Sequence, residues 1–158
     1  MKALVVYDSV FGNTEKVAQA IGEALAAQAE VQTLGVGSVK PEHLAGMDTL
    51  IVGSPTRAFR PTPAITTWLK GLPSGSLQGV KVAAFDTRIA AEDTNSGLLK
   101  VMVKLFGYAA RPIGSRLTQK GGDLALAPEG FFVKDSEGPL KDGELERAAD
   151  WVRQITAA

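Results

Sequence analysis

The chain has 158 residues, 45% of them hydrophobic, with 17 basic and 17 acidic side chains and no cysteine. That apolar content suits one globular domain over 1–158 with a single substantial core. Balanced charge without long blocks of either sign excludes the electrostatic footprint of a nucleic-acid or anionic-membrane binder, and the lack of thiols excludes disulfides, thiolate catalysis and cysteine-held metal centres. Any redox chemistry would therefore belong to a bound organic cofactor. No apolar run reaches the roughly 18 residues of a membrane span, and the start Met-Lys-Ala-Leu-Val-Val lacks a signal peptide's apolar core, so a cytoplasmic location without a membrane partner is expected.

Strand-like runs alternate with helix-period segments throughout, which is the pattern of a parallel α/β sheet. A first strand is expected over Ala3–Tyr7, followed by a helix with Val17, Ile21, Ala24, Leu25 and Gln28 on its inner face and Glu15, Lys16 and Glu23 outside. A strand at Glu30–Leu34 leads to a short helix opening at Pro41, where proline is tolerated in the first turn. The run Thr49–Gly53 reads as a strand. Thr62-Pro63 then reads as an N-cap with proline at N1, opening a helix with Ile65, Trp68 and Leu69 on one face. A strand at Lys81–Asp86 precedes a helix from Asn95 or Ser96 carrying Leu98, Leu99, Met102, Leu105 and Phe106, expected to be the most buried of the set. Arg111–Gly114 reads as the fifth strand, Leu117–Glu129 as an excursion with a Gly121-Gly122 turn, and Phe131–Lys134 as a continuation or edge piece. A last helix from about Asp142 turns Leu145, Ala148, Ala149, Val152 and Ile155 inward. The first, third and fourth strands are nearly continuously apolar, as strands covered on both faces should be.

The segment Ser9-Val10-Phe11-Gly12-Asn13-Thr14 lies between the first strand and the first helix. A helix N-terminus exposes N–H groups and the positive end of its dipole, and Ser9, Asn13 and Thr14 add neutral donors, so the stretch suits a phosphate. Ligands of doubly wound sheets sit beyond the carboxyl ends of the strands, where strand order reverses. Suitable residues follow three strands here, in Asp8 to Thr14, Ser54 to Pro61 and Thr87 to Asn95. The Walker A pattern and the dinucleotide glycine fingerprint are both absent, which favours FMN over NAD.

The run Y-D-S-V-F-G-N-T-E-K-V-A resembles the phosphate signature of flavodoxin-like flavoproteins, and G-S-P-T-R is similar to their second flavin-contacting loop. Flavodoxin with FMN is itself the standing example of the strand-order rule just used. The resemblance covers essentially the whole chain. Its first motif looks especially like the flavodoxin module of flavo-diiron proteins, although 158 residues leave no room for a diiron module. It implies a flavodoxin-like three-layer sandwich, a five-stranded parallel sheet in order 2-1-3-4-5, noncovalent FMN and electron transfer, with phosphate contacts at Ser9, Phe11, Gly12, Asn13 and Thr14. Ser54, Pro55 and Thr56 would lie beside the isoalloxazine, with Arg57, Phe59 and Arg60 near it, and Asp86, Thr87 and Arg88 would reach its pyrimidine side.

Several readings stay open. Phe59 stacks on the ring or packs against its own loop. Arg57 and Arg88 place positive charge beside a reduced flavin, or they are solvated arginines, or Arg88 simply pairs with Asp86. Trp68 reads as core, His43 as a surface residue, Glu92-Asp93 as solvated acids and Phe131-Phe132 as core and sheet edge. The tyrosine that shields the ring in carrier flavodoxins has no counterpart between Thr87 and Asn95, and the acidic surface of such carriers is missing. The expected function is FMN-dependent electron transfer with a redox partner protein or a small quinone-like acceptor. A small NAD(P)H-dependent quinone-type reductase and a nonredox FMN-binding regulatory module are the alternatives.

Overall fold

The computed structural model describes residues 1–90, 97–98, 100–101 and 107–157. The chain opens with β1 (Lys2–Tyr7), an interior strand in which Ala3, Leu4, Val5 and Val6 are all buried. β1 pairs in parallel with β2 (Glu30–Gly35) on one side and β3 (Thr49–Pro55) on the other. β4 (Lys81–Ile89) continues the sheet beyond β3, giving the order β2-β1-β3-β4.

Alternation along the strands divides the core in two, because successive side chains point to opposite faces. Val5, Ile51, Ala83 and Phe85 meet α1 (Asn13–Leu25) and α5 (Glu144–Ala157), while Leu4, Val6, Leu50, Val52, Val82 and Ala84 meet α3 (Pro63–Gly71) and α4 (Ala110–Gln119). Phe85, Phe131 and Trp151 form an edge-to-face aromatic trio with centroids 5.9 to 6.3 Å apart. α2 (Pro41–Leu44) is a single turn whose opening Lys40 N–H is bonded by His43 Nδ1 at 2.9 Å, so the lone histidine has a local capping role. Thr62 caps α3 as expected, its Oγ1 accepting from Ile65 N.

The fifth strand differs from expectation. Arg111–Gly114 is helical, part of α4, where Ala110, Ile113, Gly114 and Leu117 make a buried stripe of helical period. Pro112 lies in the first turn, where its missing N–H costs nothing, so the proline that suggests an extended chain is compatible with a helix start. The sheet position is filled instead by β5 (Asp123–Leu124) and β6 (Glu129–Val133), both parallel to β4. Asp123 and Leu124 pair with Lys81 and Val82, and Glu129 resumes at Phe85. The edge chain thus takes five steps where β4 takes three, and the excess bulges out at 125–128. The Gly121-Gly122 pair forms the expected turn, with Gly121 at φ 103°.

Two helix faces also differ. In α5 the buried stripe runs through Ala148, Trp151, Val152 and Ile155, while Leu145 at the open N-terminal turn is 38% exposed. Gly97, Leu98, Lys100 and Val101 are helical, but Leu98 and Val101 are 71% and 54% exposed, so Leu98 is not a core residue. Leu99, Met102, Leu105, Phe106 and the Glu92-Asp93 pair lie outside the described residues. No helix among those described is long and apolar enough to cross a membrane.

Candidate functional site

The chain leaves β1 through Asp8 and reverses at Gly12, whose φ of 92° is left-handed and suits glycine. Ser9 holds this turn. Its Oγ accepts from Gly12 N at 3.1 Å and Glu15 N at 3.3 Å, which occupies its lone pairs and leaves the hydroxyl proton to donate outward. The N–H groups of Phe11, Asn13 and Thr14 have no acceptor among the described residues. They are the orphan donors of the helix start.

Thr14 is buried and its hydroxyl meets that of Thr87 at 2.8 Å, joining α1 to the end of β4. One hydroxyl of such a pair donates to the other, and the second proton is free for a ligand. Asn13 turns the other way, its Nδ2 donating to Glu137 O at 3.0 Å. Gly138 lies against this carboxamide so closely that a Cβ would stand 2.6 Å from Asn13 Oδ1. Asn13 thereby ties the first loop to the chain that follows β6.

The loop after β3 is built differently. Thr56 N donates to Thr87 O at 3.0 Å, and Thr56 Oγ1 accepts from Ala109 N at 3.1 Å. Arg57 and Arg60 then pair with each other through both backbone bonds, closing a turn over Ala58 at φ 49° and Phe59 at φ 67°. Two consecutive left-handed residues are what a tight hairpin turn requires, yet neither is glycine, so the turn carries strain. The Arg57 guanidinium lies 5.7 Å from the Phe11 ring centroid, bringing the first two loops together.

At the end of β4, alternation sends Thr87 toward Thr14 and Asp86 with Arg88 to the other face. Asp86 is fully buried, accepting from Arg88 Nε at 2.6 Å, Arg88 Nη2 at 2.7 Å and Ala110 N at 2.9 Å. Burial pushes the Asp86 carboxyl up from its ordinary pKa, while the Arg88 guanidinium and the Ala110 N–H pull it back. Arg88 stacks 3.8 Å from the Tyr108 centroid, and the space it occupies depends on Gly130, where any Cβ would overlap the guanidinium.

These loops enclose an open cleft of about 370 Å³ lined by Val10, Phe11, Asn13, Thr14, Pro55, Thr56, Arg57, Ala58, Thr87, Arg88, Ile89, Val133 and Ser136. Nine of the residues singled out from sequence are among them. Ser9 and Gly12 shape the loop behind the cleft. Ser54, Phe59 and Asp86 do not line it: Ser54 Oγ is spent on Thr62 N and Pro55 O, and Asp86 on Arg88. Sequence reading missed Ala58, Ile89, Val133 and Ser136. The last two reach the cleft only because β6 pairs with β4, which no local pattern signals. It also missed Tyr108, which stacks on Arg88 and donates to Ile89 O.

Among the described residues the lining holds two arginines, hydroxyls and free N–H groups but no carboxylate. Such a donor set fits a phosphorylated planar cofactor. No cluster of histidine, aspartate and glutamate able to hold a metal occurs among the described residues.

A parallel sheet of this order, with the cleft at its carboxyl end, defines an α/β nucleotide-cofactor protein of the flavodoxin type. The flavodoxin domain family matches residues 4–108, and the chain belongs to that family. It is an FMN-binding, flavodoxin-like redox protein. It is similar to the NADPH-dependent diflavin oxidoreductase 1 of Emericella nidulans, at 34% identity over 129 residues, covering 77% of this chain and 18% of that protein. Among solved structures, oxidised flavodoxin 1 of Bacillus cereus superposes with a TM-score of 0.78 at 17% identity, covering 99% of this chain and 98% of that one. The rubredoxin:oxygen oxidoreductase of Desulfovibrio gigas gives 0.71 at 21% identity, covering 99% of this chain and 36% of that one. At these identities the structures speak to the fold.

Proposed function

We propose that the cleft seats FMN with its phosphate on the N-terminus of α1 and its ring between the Pro55–Ala58 loop and Thr87–Ile89, and that the chain relays electrons from a partner reductase to an acceptor. The observation that carries this reading is the convergence of the loops after β1 and β3 with the end of β4 on one cleft, whose described lining contains free N–H donors and no acid. Bound FMN would supply the electron chemistry, and the protein supplies position, water exclusion and field. Ser9, Thr14, Thr87 and the backbone N–H groups of Phe11, Asn13 and Thr14 would hold the phosphate. Pro55 and Thr56 would border the ring on one side, and Arg57 and Arg88 would set its charge environment.

The likeness to a diflavin oxidoreductase supports a relay fed by pyridine nucleotide through a second flavin centre, rather than by direct contact of NADPH with this chain. Apoprotein should bind FMN far more tightly than riboflavin when each is titrated by calorimetry and flavin fluorescence. Equal affinity would overturn the phosphate seat. In anaerobic stopped flow, NADPH alone should reduce the bound flavin slowly and NADPH with a flavin reductase quickly. Rapid reduction by NADPH alone would make the chain a self-contained reductase.

A second reading concerns the acceptor. Val10 and Phe11 at the cleft rim are 50% and 46% exposed, leaving an apolar lip on which a small planar quinone can lie. With net charge zero, long-range steering of a protein partner is weak. Reduced protein should therefore pass electrons to small quinones with saturation and little dependence on ionic strength. If quinone reacts no faster than with free reduced FMN, while a protein acceptor reacts quickly and with steep salt dependence, the acceptor is a protein.

A further inference from the structure

The two arginines of the cleft are not equivalent. Among the described residues Arg57 makes no ion pair; its guanidinium lies near the Phe11 ring, and its residue is exposed. Arg88 is held bidentately by Asp86, a carboxylate with no exposure, and is wedged between Tyr108 and the backbone of Gly130. Opposite charges this close cancel each other's field at longer range, so the pair presents a dipole and not a cation to the cleft. Arg88 borders the cleft, while Asp86 lies on the far side of the guanidinium, toward Ala110 at the start of α4.

We propose that Asp86 is an electrostatic positioning residue: it fixes the Arg88 guanidinium at the cleft wall and neutralises it, so that, of the charges on the described residues lining the cleft, Arg57 is the one that acts on the cofactor. This deepens the reading of the cleft as the FMN seat and rests on it. The chemical consequence follows from charge alone. Reduction adds negative charge to the flavin, and an uncompensated cation nearby favours the reduced form. Arg57 does so in the native protein. Asp86 withholds a second cation that would do so more strongly, because Arg88 is better shielded from solvent than Arg57.

The test is the flavin midpoint potential in four variants, with FMN affinity measured on each oxidised apoprotein. Arg57→Gln should lower the potential. Asp86→Asn should raise it by about tenfold in the ratio of affinities for reduced over oxidised flavin, which is roughly 30 mV for a two-electron couple. Arg88→Gln alone should leave the potential at or below the native value, since Asp86 loses the cation that offsets its burial and is left a neutral acid or an unpaired anion, and a rise would overturn the proposal. The double variant Asp86→Asn/Arg88→Gln removes a neutral pair and should stay close to the native potential. It also avoids leaving one buried charge without its partner, the change most prone to disturb folding. A double variant that falls as far as Arg57→Gln would overturn the proposal, because Arg88 would then be acting as a free cation. An Asp86→Asn protein that binds FMN at the native potential would overturn it as well. If the native apoprotein does not bind FMN, the cleft reading fails and takes this inference with it; binding with the wrong order of potentials sinks the inference alone.

Discussion

The two ends of the cleft are built on opposite principles. At the α1 end the turn is local: Ser9, Gly12 and Glu15 close it within seven residues, and its one left-handed position is a glycine. At the other end the Arg57–Arg60 turn closes through its own two backbone bonds with Ala58 and Phe59 in the left-handed region, and Thr56, which leads into it, is held by distant groups, Thr87 O and Ala109 N. A relaxed, locally encoded loop suits a permanent anchor for a phosphate. A strained loop held by tertiary contacts suits a wall whose backbone must face a ring in one orientation, and strain of this kind clusters at functional sites.

The sharpest way to break this comparison is at Thr14. Thr14→Ala removes a buried hydroxyl at the proposed phosphate seat, and a hydrogen bond to a charged group contributes about 1.5 to 3 kcal/mol, so FMN affinity should fall roughly 10- to 150-fold. Riboflavin affinity should hardly change. Calorimetry on the apoprotein with both ligands checks this, and a parallel loss for riboflavin would mean that the α1 end is structural support for the ring.

A smaller effect is expected at the other end. A left-handed conformation costs a non-glycine residue about 1 to 2 kcal/mol, part of which glycine gives back through its greater freedom in the unfolded chain, so Ala58→Gly should stabilise the apoprotein by about 0.5 to 1 kcal/mol in urea denaturation. It should also loosen FMN binding slightly, because the wall is less pre-organised. Unchanged or reduced stability would show that the turn is not strained.

The smallest effect comes from the support behind the cleft. Burial alone would raise the Glu144 carboxyl, but Arg147, Phe132 N and Lys141 together hold its pKa below the usual glutamate range. A depressed carboxyl contributes stability that is complete above its unfolded pKa, about 4.3, and is lost as pH falls through the lower folded value. Between pH 5 and 3, native protein should lose more stability than Glu144→Gln, and the loosened β6 should weaken FMN binding through Val133 and Ser136. Parallel stability curves for the two proteins would remove Glu144 from this account.

Most of the cleft was legible in the chain because its residues directly follow strands that can be read from composition. Thr14, Thr56, Arg57 and Thr87 needed only the rule that ligands collect at strand ends. Their pairing did not show: the Thr14–Thr87 contact joins residues 73 positions apart. The choice between an Asp86–Arg88 ion pair and a free arginine likewise stayed open until the face of β4 was known. Arg111–Gly114 misled because four residues with a proline carry no period, whereas the helical spacing becomes clear only when Ala110 and Leu117 are included.

By itself the sequence determined the alternation of strands and helices, the positions of β1, β3 and β4, the turn at Gly12 and the family of the site, because each rests on composition and short-range chemistry. Tertiary structure decided which segment became the last strand. Asp123–Leu124 and Glu129–Val133 are too short and interrupted to declare themselves, and they are strands because the exposed edge of β4 offers N–H and C=O groups that must be paired. The same pairing brings Val133 and Ser136 to the cleft and sets Gly130 beneath Arg88. It thereby decided where the Arg88 guanidinium can sit at the cleft wall, through contacts between residues that are remote along the chain.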